Sequence, residues 1–192
     1  MPKLYFTEEA EQRLVKRLQK GEKTAAREFY ALYAADMTGI CSRYIADEDD
    51  VKDVIQDSLI HIFSRIGEFK YNGAGSLKAW AAKVVVNESL SFLRTKKRNE
   101  ILMEGLEVAD EVEDDFPSIS DIPPDTIRQM LNRLPTGYRT VLNLYVFEGM
   151  SHQEIARLLG IRKDSSASQL HRAKKLLAKM IRNYNDDNSP RR

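Results

Sequence analysis

The chain has one cysteine, one tryptophan and three histidines in 192 residues. Cys41 alone cannot form an internal disulfide; it fits a reducing compartment and a buried thiol. His61, His152 and His171 are dispersed, and no His/Cys pair has metal-ligand spacing, so no metal and no cofactor is expected. The run Asn72-Gly-Ala-Gly-Ser76 lacks the Gly-Lys-Ser/Thr of a phosphate loop, and its glycines read as turn residues. These absences argue against an enzyme. No apolar run approaches the ~18 residues of a membrane span, and the N-terminus has no signal-peptide profile. The expectation is a soluble, cytoplasmic protein with no membrane insertion. An excess of one charge is also missing. The net charge is +1, which by itself points to no partner.

The distribution of charge is more informative. Nine acids between Glu100 and Asp121 fall in a stretch without Lys or Arg, whereas from Arg128 onward 13 basic residues face 5 acidic ones. A basic module following an acidic segment is common among nucleic-acid binders; the plainer alternative is a solubilising loop. Around that segment the chain reads as helix after helix. Thr7 is placed to cap a first helix, Thr24 a second, Asp47 a third and Ser76 a fourth that ends in Lys96-Lys97-Arg98. Tyr30, Leu32, Phe29, Tyr33, Met37, Ile40 and Cys41 supply an apolar side to the second. The expected fold is all-α: two helical domains, residues 1–99 and 125–187, joined by an acidic linker over 100–124, with a frayed tail at 188–192.

The most specific segment runs from Gly149 to Arg182. Ser151-His-Gln-Glu154 has the form of a capping box. Ile155, Leu158 and Leu159 follow on one face, and Gly160 suits the left-handed position that ends a helix. Asp164 or Ser165 is placed to cap a second, basic helix. This is a helix-turn-helix pattern, whose second helix enters the DNA major groove. On that helix Ser166, Leu170, Ala173, Leu177, Met180 and Ile181 share the core side. Ser165, Ser168, Gln169, Arg172, Lys175 and Lys179 lie opposite. Gln and Arg pair bidentately with adenine and guanine, while Lys175 and Lys179 suit phosphates. The competing reading is an ordinary solvated basic face.

The N-terminal half carries two further constellations. On the third helix Val51, Val54, Ile55, Leu59, Ile62 and Phe63 supply a buried side. Acids at its start complement the helix dipole, but Asp53, Gln56 and Asp57 lie beyond the first turn. With Asp50 and Ile60 they form a face suited to a basic protein surface. In the following loop and helix, Phe69, Tyr71 and Trp80 stand beside Lys70, Lys78 and Lys83, the mixture that holds unstacked bases. The burial habits of aromatics favour a core role for Phe69 and Trp80.

In this order the parts resemble bacterial RNA polymerase sigma factors of the extracytoplasmic-function group, over roughly Leu4 to Tyr184. Asp50-Val-Lys-Asp53-Val-Ile-Gln56-Asp57 looks like the family's core-polymerase-binding motif. Gly75-Ser-Leu-Lys-Ala-Trp80 with Val85-Val-Asn87 looks like its promoter-melting segment, and Leu134-Pro135 through Leu177 like its −35-reading domain. The form Ser168-Gln-Leu-His-Arg172-Ala-Lys is most like members from Bacteroidetes. The resemblance implies that Asp50, Asp53, Gln56, Asp57 and Ile60 bind core polymerase. It implies that Phe69, Lys70, Tyr71, Asn72, Gly73, Lys78, Trp80, Lys83 and Asn87 serve the −10 element, where the loop captures a flipped base. Ser165, Ser168, Gln169 and Arg172 match the −35-reading face. Ala167 stands where many relatives have a basic residue. Core RNA polymerase and promoter DNA are the implied partners, and the family usually has a dedicated anti-sigma factor. The alternative is a helix-turn-helix regulator with a ligand- or signal-sensing N-terminal domain, which would typically bring a βαβ pattern or an evident pocket.

Overall fold

The computed structural model describes residues 7–99 and 116–188. Most of the acidic run, and the tail from residue 189, lie outside the described residues. Every regular element among those described is helical, as the all-α expectation requires. The chain divides into two compact units, Met1–Ile101 and Leu102–Arg192.

The first unit contains α1 (Glu8–Gln19), α2 (Lys23–Tyr44), α3 (Glu48–Arg65), a 3-10 turn (Ile66–Glu68) and α4 (Ser76–Asn99). Local capping explains two of its starts. The Thr7 hydroxyl accepts from the Ala10 N–H at 3.3 Å. The Asp47 carboxylate accepts from the N–H groups of Asp49 and Asp50, both at 3.0 Å, and these bonds, that of Asp50 first, hold its pKa below the usual value. The other two starts depart from expectation. α2 begins at Lys23, with Glu22 at the N-cap position and no side-chain cap. The Thr24 hydroxyl instead accepts from Arg17, whose guanidinium also pairs with Glu22 and Glu28. α4 is capped not by Ser76 but by a residue far away in sequence, the buried Glu11 of α1.

α2, α3 and α4 pack on one another, and α1 packs on α2 and the 3-10 turn. The buried stripe of α2 steps by four residues, through Ala25, Phe29, Tyr33, Met37 and Cys41. Tyr30 and Leu32 flank that stripe and are exposed, which narrows the apolar side expected from the sequence. Phe29 is fully buried, with the rings of Tyr33 and Phe63 centred 5.1 and 5.6 Å away. Its burial contributes about 2–3 kcal/mol by area.

The second unit contains α5 (Pro124–Asn132), α6 (Thr136–Val146), α7 (His152–Leu159) and α8 (Lys163–Asn188). Pro124 opens α5 at a position where its missing N–H costs nothing. Arg139 is buried, and its Nη1 donates to the Asn132 carbonyl at 3.0 Å. The guanidinium thus closes the carbonyl end of α5, where a cation complements the helix dipole, and burial pushes its pKa below the usual value. The capping box of α7 is complete: the Ser151 hydroxyl accepts from the Glu154 N–H, and the Glu154 carboxylate accepts from the Ser151 N–H. Gly160 ends α7 in the left-handed region, at φ 68°. α8 starts at Lys163, two or three residues earlier than an Asp164 or Ser165 cap would allow, so both residues lie inside its first turn.

α8 is the spine on which α5, α6 and α7 pack. It buries Ser166, Leu170, Ala173, Leu177, Ala178 and Ile181. Met180 is only half-buried, and Ala178 takes the closer position. Upstream of α5, Ile122 is buried and the Ser118 carbonyl accepts from Asn185 of α8 at 3.3 Å.

Candidate functional site

Three surfaces, each within one unit, carry the residues singled out from the sequence. The first is the outer face of α3. Asp53, Gln56, Asp57 and Ile60 are exposed and follow i, i+3, i+4, i+7, so they form one stripe. Ile60 is 64% exposed, the highest value among the large exposed hydrophobics of the described residues. Asp50 stands apart from the others: it is half-buried and paired with Lys96 of α4 at 2.7 Å.

The second surface is the loop before α4 and the helix itself. Phe69 and Trp80 are half-buried, with ring centroids 5.0 Å apart and planes tilted by 39°. They are neither sealed in the core nor free. Trp80, Lys83 and Asn87 fall on one stripe of α4 by their spacing, and Lys83 and Asn87 are exposed. Lys70 and Asn72 are exposed in the loop. Lys78 is not brought to this stripe: it lies about half a turn away and pairs with Asp36 of α2 at 2.6 Å.

The loop is tied down at several points. The Tyr71 hydroxyl donates to the Glu8 carbonyl at 3.0 Å, and burial raises its pKa. The Gln19 amide donates to the carbonyls of Ile66 and Phe69, at 3.2 and 3.0 Å. Gly73 and Gly75 have φ of 87° and 82°, a region that side chains rarely adopt. Past the second glycine, Glu11 Oε2 accepts from the Gly75 N–H at 2.6 Å and Oε1 from the Leu77 N–H at 3.0 Å. One carboxylate thereby fixes both the loop exit and the start of α4. Sequence reasoning missed Glu11, although a signal existed. It occupies the first position of the apolar stripe Leu14, Val15, Leu18, where an acid survives burial only with partners.

The third surface is α8. Ser168, Arg172 and Lys179 are exposed, while Ser165, Gln169 and Lys175 are half-buried. Ser168, Arg172, Lys175 and Lys179 lie opposite Ser166, Leu170 and Ala173, whereas Ser165 and Gln169 stand at the boundary, Gln169 against Gly137 of α6. The Ser168 hydroxyl donates to the Ser165 carbonyl at 3.2 Å. Arg172 Nη1 lies 3.4 Å from the Tyr138 hydroxyl of α6. At the turn, His152 of α7 contacts the buried Ser166 hydroxyl at 3.0 Å and stacks on Tyr145 at 4.8 Å. These contacts tie the start of α7 to α8 and to α6, and helical periodicity alone gave no sign of them.

Among the described residues no helix is long and apolar enough to cross a membrane, and no group of three or more His, Cys, Asp or Glu could hold a metal ion.

Known proteins align with both units. Residues 29–99 match the family model for sigma-70 region 2, and residues 125–177 match that for sigma-70 region 4. The chain is 26% identical to the RNA polymerase sigma-H factor of Pseudomonas aeruginosa over 187 residues, covering 92% of this chain and 96% of that protein. It is 27% identical to the ECF RNA polymerase sigma factor SigW of Bacillus subtilis over 179 residues, covering 88% and 95%. The solved structure of the Bartonella quintana sigma factor RpoE with the anti-sigma factor NepR aligns at a TM-score of 0.49 and 19% identity, covering 81% of this chain and 96% of that one. With both regions matched in order and relatives aligned over nearly their whole length, the chain belongs to the sigma-70 family of RNA polymerase sigma factors, in the extracytoplasmic-function group.

Proposed function

We propose that this protein binds core RNA polymerase and directs promoter-specific initiation through the three surfaces described above. The observation that carries the reading is the ordered pair of matches, region 2 over 29–99 and region 4 over 125–177. The α3 stripe of Asp53, Gln56, Asp57 and Ile60, with Asp50 at its edge, docks on a basic surface of the polymerase. The α8 face reads duplex DNA at −35: Ser165, Ser168, Gln169 and Arg172 meet base edges, and Lys175 and Lys179 meet phosphates. The Phe69–Gly75 loop, with Trp80, Lys83 and Asn87, holds an unstacked base of the melted −10 element.

No covalent chemistry is assigned to the protein. Trapping a base outside the stack offsets an unpairing cost of a few kcal/mol and so nucleates melting. Stacking on an aromatic supplies about 1–3 kcal/mol per base, which is the right size for that task. The two DNA surfaces gain from effective concentration once both are held on one polymerase, so the isolated protein should bind promoter DNA weakly. As the resemblance implies, a dedicated anti-sigma factor is the expected inhibitory partner.

The test is association of labelled protein with core polymerase, followed by promoter binding with and without polymerase. The proposal expects tight association with polymerase and promoter affinity that depends on it. Duplex binding by the protein alone, with no affinity for polymerase, would favour a conventional helix-turn-helix regulator.

A further inference from the structure

We infer that Gly137 and Tyr138, at the start of α6, are specificity-determining residues for −35 reading, because they form the platform on which Gln169 and Arg172 rest. The inference depends on the proposed role of α8. Gly137 lies in the first turn of α6, a helix from Thr136 to Val146. It is not among the glycines with positive φ, so the backbone does not demand a glycine. A glycine in a helix costs stability relative to alanine, so what an added methyl group would meet there is informative.

The space around it bears directly on Gln169. A Cβ built on Gly137 would stand 3.1 Å from Gln169 Oε1 and 3.9 Å from its Cδ, with no other heavy atom so near. What a methyl group would meet is therefore the amide of a proposed base-reading side chain. At the next position the Tyr138 hydroxyl stands 3.4 Å from Arg172 Nη1. Two consecutive residues of α6 thus abut the two side chains on α8 whose chemistry suits adenine and guanine. Gly137 sets how far the Gln169 amide can lie back, and Tyr138 sets the direction of the Arg172 fork. Neither residue needs to touch DNA.

The test is a double-mutant cycle in transcription. Core polymerase with the full chain is given a promoter library randomised at −35, and transcripts are counted by sequence. The variants are Gly137→Ala, Tyr138→Phe, Gln169→Ala and Arg172→Ala, with the pairs Gly137→Ala/Gln169→Ala and Tyr138→Phe/Arg172→Ala. Gly137→Ala should lower discrimination at the base read by Gln169 roughly fivefold or more, a substantial part of what a bidentate pair supplies. Its melting temperature should be unchanged or raised, since alanine is the better helix former. The effect should vanish in the Gln169→Ala background, because coupled residues are not additive; a merely structural glycine would lower activity equally in both. Tyr138→Phe should behave in the same way towards Arg172. If Gln169→Ala and Arg172→Ala change −35 preference but Gly137→Ala and Tyr138→Phe do not, the platform is refuted and the reading face stands. If none of the four changes −35 preference, the reading face is wrong and the platform falls with it.

Discussion

Glu11 is a buried acid whose carboxylate serves two backbone donors on another element, and Glu11→Ala should unfold the first unit more readily than any exposed substitution. Its two bonds, to the N–H groups of Gly75 and Leu77, run 2.6 and 3.0 Å. Hydrogen bonds to a charged group contribute about 1.5–3 kcal/mol each, and leaving a buried donor unpaired costs about 1–3 kcal/mol. The Leu77 donor is buried, whereas that of Gly75 is half-buried and can recover part of its loss from water. The expected destabilisation is therefore about 2–4 kcal/mol, or roughly 10–25 °C in melting temperature for a unit of about 100 residues. Glu11→Gln keeps one acceptor without its charge, and neutral bonds have roughly half the strength; it should lose about half as much. Trp80 is the only tryptophan and packs on Phe69 beside this site, so its fluorescence follows unfolding of the first unit. Urea titration of parent and both variants measures the effect. A Glu11→Ala midpoint equal to that of the parent would refute the capping role.

Three further outcomes are expected. Asp53→Ala with Gln56→Ala should weaken core-polymerase binding at least tenfold, a loss of about 1.4 kcal/mol, while the circular dichroism melt stays within a few degrees of the parent, because both side chains are exposed. Arg172→Ala should lower −35-dependent transcription by about 1–3 kcal/mol of discrimination at one base pair, read as a flattened preference in promoter-library counts. Stability should also fall in acid. Asp47 and Glu154 have folded pKa values below their usual ones, through the Asp50 N–H and the Ser151 hydroxyl first. Their contributions are complete above the unfolded values of about 4 and are lost as pH falls through the folded ones. Melting temperature should be level from neutrality to about pH 5 and decline below about pH 4, and Asp47→Asn should make that decline shallower.

What could be read from the sequence was whatever local rules dictate. Thr7, Asp47, the Ser151–Glu154 box and Gly160 mark helix ends with partners only two to five residues away, and each does so in the structure. The two faces of α8 follow from 3.6-residue periodicity, and Ser166, Leu170 and Ala173 are buried accordingly. What was not legible depends on tertiary contacts. Glu11 caps a helix 64 residues later in the chain, a partner that local rules cannot offer, and they point to Ser76 instead. Lys78 pairs with Asp36 of α2, a contact that no local rule places. Thr24 lost its capping role to the reach of Arg17 from α1. Gly137 carried no signal in the sequence, because a glycine after proline and threonine reads as a turn residue. Its meaning depends on Gln169, which only the packing of α6 on α8 brings close.

The central claim is that three separate surfaces together make a promoter-specificity subunit, and run-off transcription measures it most directly. Core RNA polymerase, with and without the purified chain, is given a library of random promoter DNA, and transcripts are counted by their upstream sequence. The account predicts transcripts only with the protein present, starting at a fixed distance downstream of a shared two-part sequence. Arg172→Ala should relax the upstream part, and changes at Trp80 or Asn87 should affect the downstream part. Transcription that is unchanged by the protein, despite a folded chain that binds duplex DNA alone, would contradict it.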